Sequence, residues 1–326
     1  MNTTSNSYIE TLKDIEFIKL HFLRSLCEKL DLIRVSAPLI VESNSGINDD
    51  LNGTERKVTF SPKCNPNVTL EIVQSLAKWK RIALKKYNID GLVADMNAIR
   101  QDEALDNLHS LYVDQWDWEH VITDRSIYRL YDYADNIFYC VKYIDDLLSQ
   151  IHHTRPYLFG MDDMLYKIST VKLAKLYPEL TPKEREYKIV KLHKAVLLTH
   201  IGDKLCNYDS MINSNEKHDL RAPDYDDWNI NGDILVWHEP TQEVLELSSM
   251  GVRVNKESLT YQLKETNTYE DKKDLLYHKL ILNEELPQTI GGGIGQSRLC
   301  MFLLRKKHIG EVQSSYWNNE YIKNGL

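Results

Sequence analysis

Apolar residues recur at helical spacing through Ile9, Leu12, Ile15, Ile18, Phe22, Leu26 and Leu30, which predicts a first amphipathic helix over about residues 7–30. Leu32 to Ile40 then reads as a short extended segment, and Pro38 inside it places it at a sheet edge. The turn-forming run 43–54 predicts a loop. Strand character returns near 57–62, 69–75, 91–98 and 108–119. Along the last of these, alternation puts Gln115, Asp117 and Glu119 on one face, with Tyr112, Asp114, Trp116 and Trp118 on the other. Ile127, Leu130, Ala134, Ile137, Phe138, Val141, Ile144, Leu148 and Ile151 predict a long helix over about 124–153. Thr181-Pro182-Lys183-Glu184 opens another with a capping box and proline at the first helical position. Asn231–Trp237 and Glu243–Val254 predict an antiparallel hairpin around a turn at His238–Thr241. A glycine cluster at 291–295 leads into a last helix from Gln296 to about Arg305. No repeat or separating linker interrupts this order. The expectation is one α+β domain over 1–326, a mostly antiparallel sheet flanked by helices, with a helical insertion at about 124–200.

Composition narrows the function. With 40 basic against 48 acidic side chains, the net charge of −8 argues against a nucleic-acid coat, though it leaves room for a basic pocket. Five scattered cysteines without a Cys-x-x-Cys pair predict reduced thiols rather than a zinc site or disulfides. The chain has no apolar run of membrane-spanning length, and its polar start lacks a signal-peptide pattern. A cytoplasmic protein without a membrane partner is expected.

Candidate chemistry falls in four places. Gly291, Gly292, Gly293 and Gly295 precede a helix, so bare backbone there can approach an anionic or flat ligand, or the cluster is simply a glycine-rich turn for tight packing. The cluster fits neither the P-loop nor the dinucleotide fingerprint. Arg298, just beyond, favours a phosphate pocket. In the hairpin, a turn at 238–241 sets Asp233 opposite Glu246. Facing carboxylates repel unless a divalent cation such as Mg²⁺ joins them. A register slip of one residue would instead separate them onto opposite faces. The polar face Gln115/Asp117/Glu119 reads either as solvated or as part of a site. Lys78, Lys80 and Arg81 read equally as an exposed basic helix turn, and Arg100 alone carries little information.

In order along the chain, the helix with its Pro38 strand, Arg100 followed by acidic residues, and Gly291–Arg298 resemble the three motifs of class II aminoacyl-tRNA synthetase cores. Longer strings resemble the ammonia-dependent asparagine synthetases of the A type. They are Ser75-Leu-Ala-Lys-Trp-Lys-Arg81, Tyr112-Val-Asp-Gln-Trp-Asp-Trp-Glu119, Arg221-Ala-Pro-Asp-Tyr-Asp-Asp-Trp228, Asn231-Gly-Asp-Ile-Leu-Val-Trp237, Glu246-Leu-Ser-Ser-Met-Gly251 and Pro287–Arg298. The resemblance runs nearly end to end. It implies ATP-dependent conversion of L-aspartate and ammonia to L-asparagine through a β-aspartyl-adenylate, with release of AMP and pyrophosphate.

The same resemblance implies the site. Arg100 and Arg298 would clamp phosphate, and Asp233 with Glu246 would hold Mg²⁺. Ser110, Val113, Gly293, Ile294 and Gly295 would lie against the nucleotide. Asp49, Ser75, Lys80, Gln115, Asp117, Ser248, Ser249 and Arg298 would surround the amino acid, with Lys80 meeting a carboxylate and Asp117 the α-ammonium. Asp49 and Asp226 are candidate bases for ammonium. The pair Asp49-Asp50 leaves open which carboxylate faces substrate, and Asp224 and Arg221 would order an acidic loop. Asn2, where an N-terminal cysteine nucleophile would stand, predicts ammonia as the only nitrogen source. The first helix and Pro38 strand would form a homodimer. The rivals are an aspartyl- or asparaginyl-tRNA synthetase, disfavoured by the acidic charge and by the lack of a barrel-sized block of strands before residue 31, and a non-catalytic amino-acid sensor.

Overall fold

The computed structural model describes residues 3–43, 45–51, 55–153, 155–160, 163–212 and 215–318. Asn2, and residues 44 and 52–54 of the expected loop, lie outside the described residues.

The first helix, α1 (Thr3–Leu30), begins a turn earlier than its apolar pattern. β1 (Ile33–Val35) follows, then β2 (Ile40–Glu42), β3 (Thr59–Phe60) and β4 (Leu70–Ile72). Pro38 falls between β1 and β2, consistent with its missing donor. β2, β4 and β3 form their own small sheet, so two of the expected strands are shorter than predicted and separate from the main one. α2 (Ala77–Tyr87), β5 (Gly91–Ile99), β6 (Tyr112–Val121) and α3 (Ile127–Ile151) come next. The predicted helical stretch then proves mixed: β7 (Tyr166–Ser169), α4 (Thr170–Leu176), α5 (Pro182–His193) and β8 (Ala195–Thr199). α5 carries the full capping box, Thr181 and Glu184 each satisfying the other's backbone N–H. The chain continues with α6 (Leu205–Tyr208), β9 (Asp226–His238), β10 (Glu243–Arg253), α7 (Lys256–Glu265), α8 (Tyr269–Lys272), α9 (Leu276–Leu282), β11 (Thr289–Gly295) and α10 (Gln296–Leu303).

The main sheet has eight strands in the order β1-β5-β6-β11-β10-β9-β8-β7. Its six central strands pair antiparallel, and only the outer pairs, β1 with β5 and β7 with β8, are parallel. One face is closed by α1, α3 and α10. There Phe22 meets Trp116 with ring centroids 4.8 Å apart, and Trp118 stacks on Tyr133 at 5.3 Å. Since Trp116 and Trp118 occupy that face, the pleat turns Gln115, Asp117 and Glu119 to the other.

Two registers differ from the sequence reading. The glycine cluster is an interior strand, β11, rather than a turn before a helix. Its cleft-side glycines sit opposite β6 residues with bulky polar side chains: Gly291 opposite Glu119, Gly293 opposite Asp117 and Gly295 opposite Gln115. The hairpin turn is 239–242, with His238 paired to Glu243. Gln242 takes a left-handed φ of 56° and its side chain donates to the Glu239 carbonyl at 2.9 Å, which closes the turn one residue later than expected. A bulge between Glu246 and Ser248 shifts the pairing again, so Asp233 faces Ser249 and Glu246 faces Leu235.

Phe22 is fully buried between α1 and the sheet. Phe22→Ala is expected to destabilise the fold by about 3–5 kcal/mol, seen as a lower midpoint in urea unfolding; an unchanged midpoint would contradict this packing.

Candidate active site

The face opposite the tryptophans opens into a cleft of about 420 Å³. Its lining brings together Asp49, Ser75, Lys80, Arg100, Ser110, Val113, Gln115, Asp117, Glu246, Ser249, Gly293, Gly295 and Arg298, residues spread over nearly the whole chain. Three expected site residues are placed otherwise. Ser248 and Ile294 pair with each other on the core face, both buried, so only their backbone is directed along the cleft strands. Asp233 lies behind the cleft wall, with both oxygens accepting from Arg221 Nη2 at 2.7 Å.

The floor is a lattice of buried charges. Far from forming an exposed turn, Lys78, Lys80 and Arg81 of α2 are almost wholly buried. Arg81 donates to the carbonyls of Pro287 and Val254, a purely structural use. Lys80 Nζ donates to Asp117 Oδ1 at 2.6 Å and to the Gly292 carbonyl at 2.8 Å. Burial pushes its pKa below the ordinary lysine value despite Asp117. Glu119 sits beside it, gripped by Arg253 through Nε at 3.0 Å and Nη2 at 2.8 Å. Although burial pushes Glu119 up, Arg253 and Lys80 hold it below the usual carboxylate range. The solvated reading of the 115/117/119 face is therefore corrected: Asp117 and Glu119 are buried and paired.

Some groups are left without partners. Asp117 Oδ2 and both carboxylate oxygens of Asp49 are buried without a hydrogen bond, as is Arg100 Nε. Burial pushes the Asp49 carboxyl up, against the pull of Lys78. Asp50 is turned away, bridged to Lys57 at 2.7 Å and Lys272 at 3.1 Å, so Asp49 is the member of the pair that lines the cleft. The second candidate base, Asp226, is bound by the Arg253 guanidinium. Ser110 Oγ is within 2.6 Å of Gln313 Oε1, so the wall at Ser110 and Val113 is held by the segment after α10.

The bulge decides which serine joins the proposed metal pair. Ser249 and Glu246 are three positions apart, which on a regular strand would put them on opposite faces. The extra residue, Leu247, returns both to the cleft face with Asp233, diagonal rather than opposite. Burial and the Glu246 charge push Asp233 up, against Arg221. Glu246 is half open and 3.8 Å from Arg298. Of the two, Glu246 alone opens to the cleft as an oxygen donor of the kind a hard divalent cation takes, while both Asp233 oxygens are engaged by Arg221. No group of three or more His, Cys, Asp or Glu side chains that could hold a metal ion occurs among the described residues.

Sequence reasoning missed Arg253 and understated Arg221, whose Nη1 donates to Ser249 Oγ at 2.8 Å. The available signal was strand parity: 249, 251 and 253 share a face once the bulge is passed.

The architecture is that of class II aminoacyl-tRNA synthetase catalytic cores. Asparaginyl-tRNA synthetase of Entamoeba histolytica in complex with asparaginyl-adenylate superposes with a TM-score of 0.69 at 13% identity, covering 96% of this chain and 68% of that one. The Pyrococcus horikoshii asparaginyl-tRNA synthetase complexed with asparaginyl-adenylate gives 0.66 at 13%, over 93% and 68%. Sequence takes the comparison further, since the profile of the aspartate–ammonia ligase family matches residues 9–325. Aspartate–ammonia ligase of Lactobacillus johnsonii is 50% identical over 322 residues, 96% of this chain and 93% of that protein. That of Clostridium tetani is 50% identical over 320 residues, 96% and 91% respectively. The chain belongs to the aspartate–ammonia ligase family.

A Cβ at Gly291 would stand 1.9 Å from Glu119 Oε2 and 2.6 Å from Arg253 Nη2. Gly291→Ala must break that buried pair and is expected to cost about 3–5 kcal/mol in denaturant titration. Gly295→Ala, whose nearest neighbour would be the Arg298 Cβ at 3.3 Å, is expected to cost far less. Equal effects would refute the close-approach role of β11.

Proposed function

We propose that the protein makes L-asparagine from L-aspartate and ammonia, using ATP and passing through a β-aspartyl-adenylate. One observation supports this reading most: the guanidinium groups of Arg100 and Arg298 share a cleft with buried carboxylate oxygens, on Asp49 and Asp117, that lack any partner. Unpaired buried charge is costly, and here each group matches part of the reaction. Full-length identity of about half to aspartate–ammonia ligases favours this reading over tRNA charging or sensing.

Asp117 Oδ2 receives the α-ammonium of aspartate, while Lys80, with two of its donors already used, and Ser75 stand on the same wall for a carboxylate. The side-chain carboxylate oxygen attacks the α-phosphorus, a P–O bond forms, and the bond to pyrophosphate breaks. Arg100 and Arg298 offset the charge that gathers on the phosphorus oxygens, and as preorganised cations they need little reorganisation to do so. Mg²⁺, with Glu246 open to it and Asp233 behind, would neutralise the leaving pyrophosphate. Ammonium then gives a proton to Asp49. The resulting ammonia attacks the acyl carbon, the carbon–oxygen bond to AMP breaks, and the second proton leaves with solvent. A carboxyl raised by burial is a better acceptor for that first proton.

The exposed apolar side chains Ile9, Leu12 and Leu20 of α1, with Ile33, Leu39 and Ile40 beyond it, support the expected homodimer interface. Among the described residues no helix is long and apolar enough to cross a membrane, and a cytoplasmic enzyme remains the reading.

Aspartate-dependent exchange of pyrophosphate into ATP, with ammonia and tRNA both withheld, is the expected partial reaction. Arg100→Ala and Arg298→Ala should each remove about 3 kcal/mol of transition-state stabilisation, more than about a hundredfold in kcat, while circular dichroism stays native. Normal turnover in either variant, or no exchange in the unmodified protein, would overturn this function.

A further inference from the structure

Behind Asp49 lies a second cluster of charges that does not line the cleft. Lys78 Nζ, buried in α2, is 2.9 Å from Asp224 Oδ2 and donates to the Asn48 carbonyl at 3.3 Å. The same Asp224 oxygen meets Lys272 of α8 at 3.0 Å and His278 Nε2 of α9 at 3.1 Å. Lys272 continues to Asp50 at 3.1 Å, and Asp50 to Lys57 at 2.7 Å. Asn48 is fixed in turn: its side-chain oxygen accepts from the Gln74 N–H at 2.8 Å and its amide donates to Glu71 at 3.0 Å. The backbone carrying Asp49 is thus tied through Lys78 to α2 and through Asp224 to the 221–225 loop, α8 and α9. None of Lys78, Asp224, Lys272 or His278 reaches the cleft lining.

We propose that Lys78 and Asp224 are positioning residues for the ammonia subsite: Lys78 keeps the buried Asp49 carboxylate ionised and aimed into the cleft, and Asp224 holds Lys78 in place while limiting its pull. This rests on the function proposed above and adds the origin of the charge that draws in ammonium. A cation such as ammonium enters a buried pocket only where a negative charge survives desolvation. Asp49 makes no hydrogen bond that would stabilise its charged form. Its ionisation therefore depends on nearby charge, and the groups facing it are Lys78 from α2, Lys272 from α8, Asp224 and Tyr225 from the 221–225 loop, and Asp50 on its own segment. Lys78 and Lys272 favour the carboxylate, whereas Asp224 and Asp50 oppose it. Burial pushes His278 toward its neutral form, so it adds a hydrogen bond to Asp224 rather than another cation. Burial still leaves the Asp49 carboxyl raised above its ordinary value, so the Lys78 and Lys272 charges are what oppose its neutral form.

Ammonia-dependent kcat/KM falls on the acid side as Asp49 takes up a proton. Lys78→Met removes a cation that lowers the Asp49 pKa, so this acid limb should move to higher pH, by about one unit or more. Asp224→Asn removes an anion that raises it, so the limb should move the opposite way. Lys272→Met should repeat the Lys78→Met direction with a smaller shift, and Lys78→Arg should restore the unmodified profile. Aspartate-dependent ATP–pyrophosphate exchange should stay within about twofold in each, because the proton transfer assigned to Asp49 follows adenylation. Hydroxylamine, an amine already neutral at pH 7, should still be converted to the hydroxamate by Lys78→Met at near-normal rate. A merely structural cluster would lose exchange, ammonia use and hydroxylamine use together, without opposed shifts. Intact exchange with an unmoved limb in both Lys78→Met and Asp224→Asn overturns the inference alone. Absent exchange in the unmodified protein overturns the reaction on which it rests.

Discussion

A single ammonium group, that of Lys80, ties the three elements on which the cleft is built. It reaches from α2 to Asp117 on β6 and to the Gly292 carbonyl on β11. Burying a lysine is unfavourable unless anions answer it, and Asp117 and, at 4.0 Å, Glu119 do so. The arrangement leaves Asp117 half used, one oxygen bound and one free. Without the ammonium that carboxylate would face the cleft as an uncompensated charge; with it, the free oxygen is a rigid socket for a cation. The same logic repeats one rung along, where Arg253 spans Glu119 and Asp226. Glycines in β11 make both rungs sterically admissible.

Charge in and behind the cleft is divided by how completely each group is paired. Glu119, Asp226, Asp233 and Asp224 are bound by guanidinium or ammonium partners and hold the framework. Asp49 and one oxygen of Asp117 are not bound, and they are the carboxylates suited to an ammonium ion and an amino acid's ammonium. On the opposite sign, Arg221 is consumed by Asp233, whereas Arg100 and Arg298 are only lightly engaged. Preorganised groups without internal partners are those that gain most from a transition state.

Much of this was legible in the sequence, for identifiable reasons. The long amphipathic helices α1 and α3 and the capping box of α5 are local signals, and each appears where expected. Alternation in β6 correctly separated Trp116 and Trp118 from Gln115, Asp117 and Glu119, although it could not tell a solvated polar face from a buried one. That distinction depends on Arg253 and Lys80, which arrive from 134 and 39 residues away in sequence. The hairpin shows the same limit. Two local details reset its register: the Gln242 turn moves Glu246 from opposite Asp233 to opposite Leu235, on the same face, and the Leu247 bulge then sets Ser249 rather than Ser248 opposite Asp233. The glycine run looked like a turn because its composition is that of turns. As a strand, it uses the missing Cβ atoms of Gly291, Gly292 and Gly293 to make room for side chains on the strands beside it.

The central claim is that the cleft activates a side-chain acid by joining it to AMP. Aspartate carrying heavy oxygen in its side-chain carboxylate should, after complete turnover with ATP and ammonia, deliver one labelled oxygen to the phosphate of AMP, read by mass spectrometry. AMP without label, or label found instead in free phosphate alongside ADP, would contradict the account.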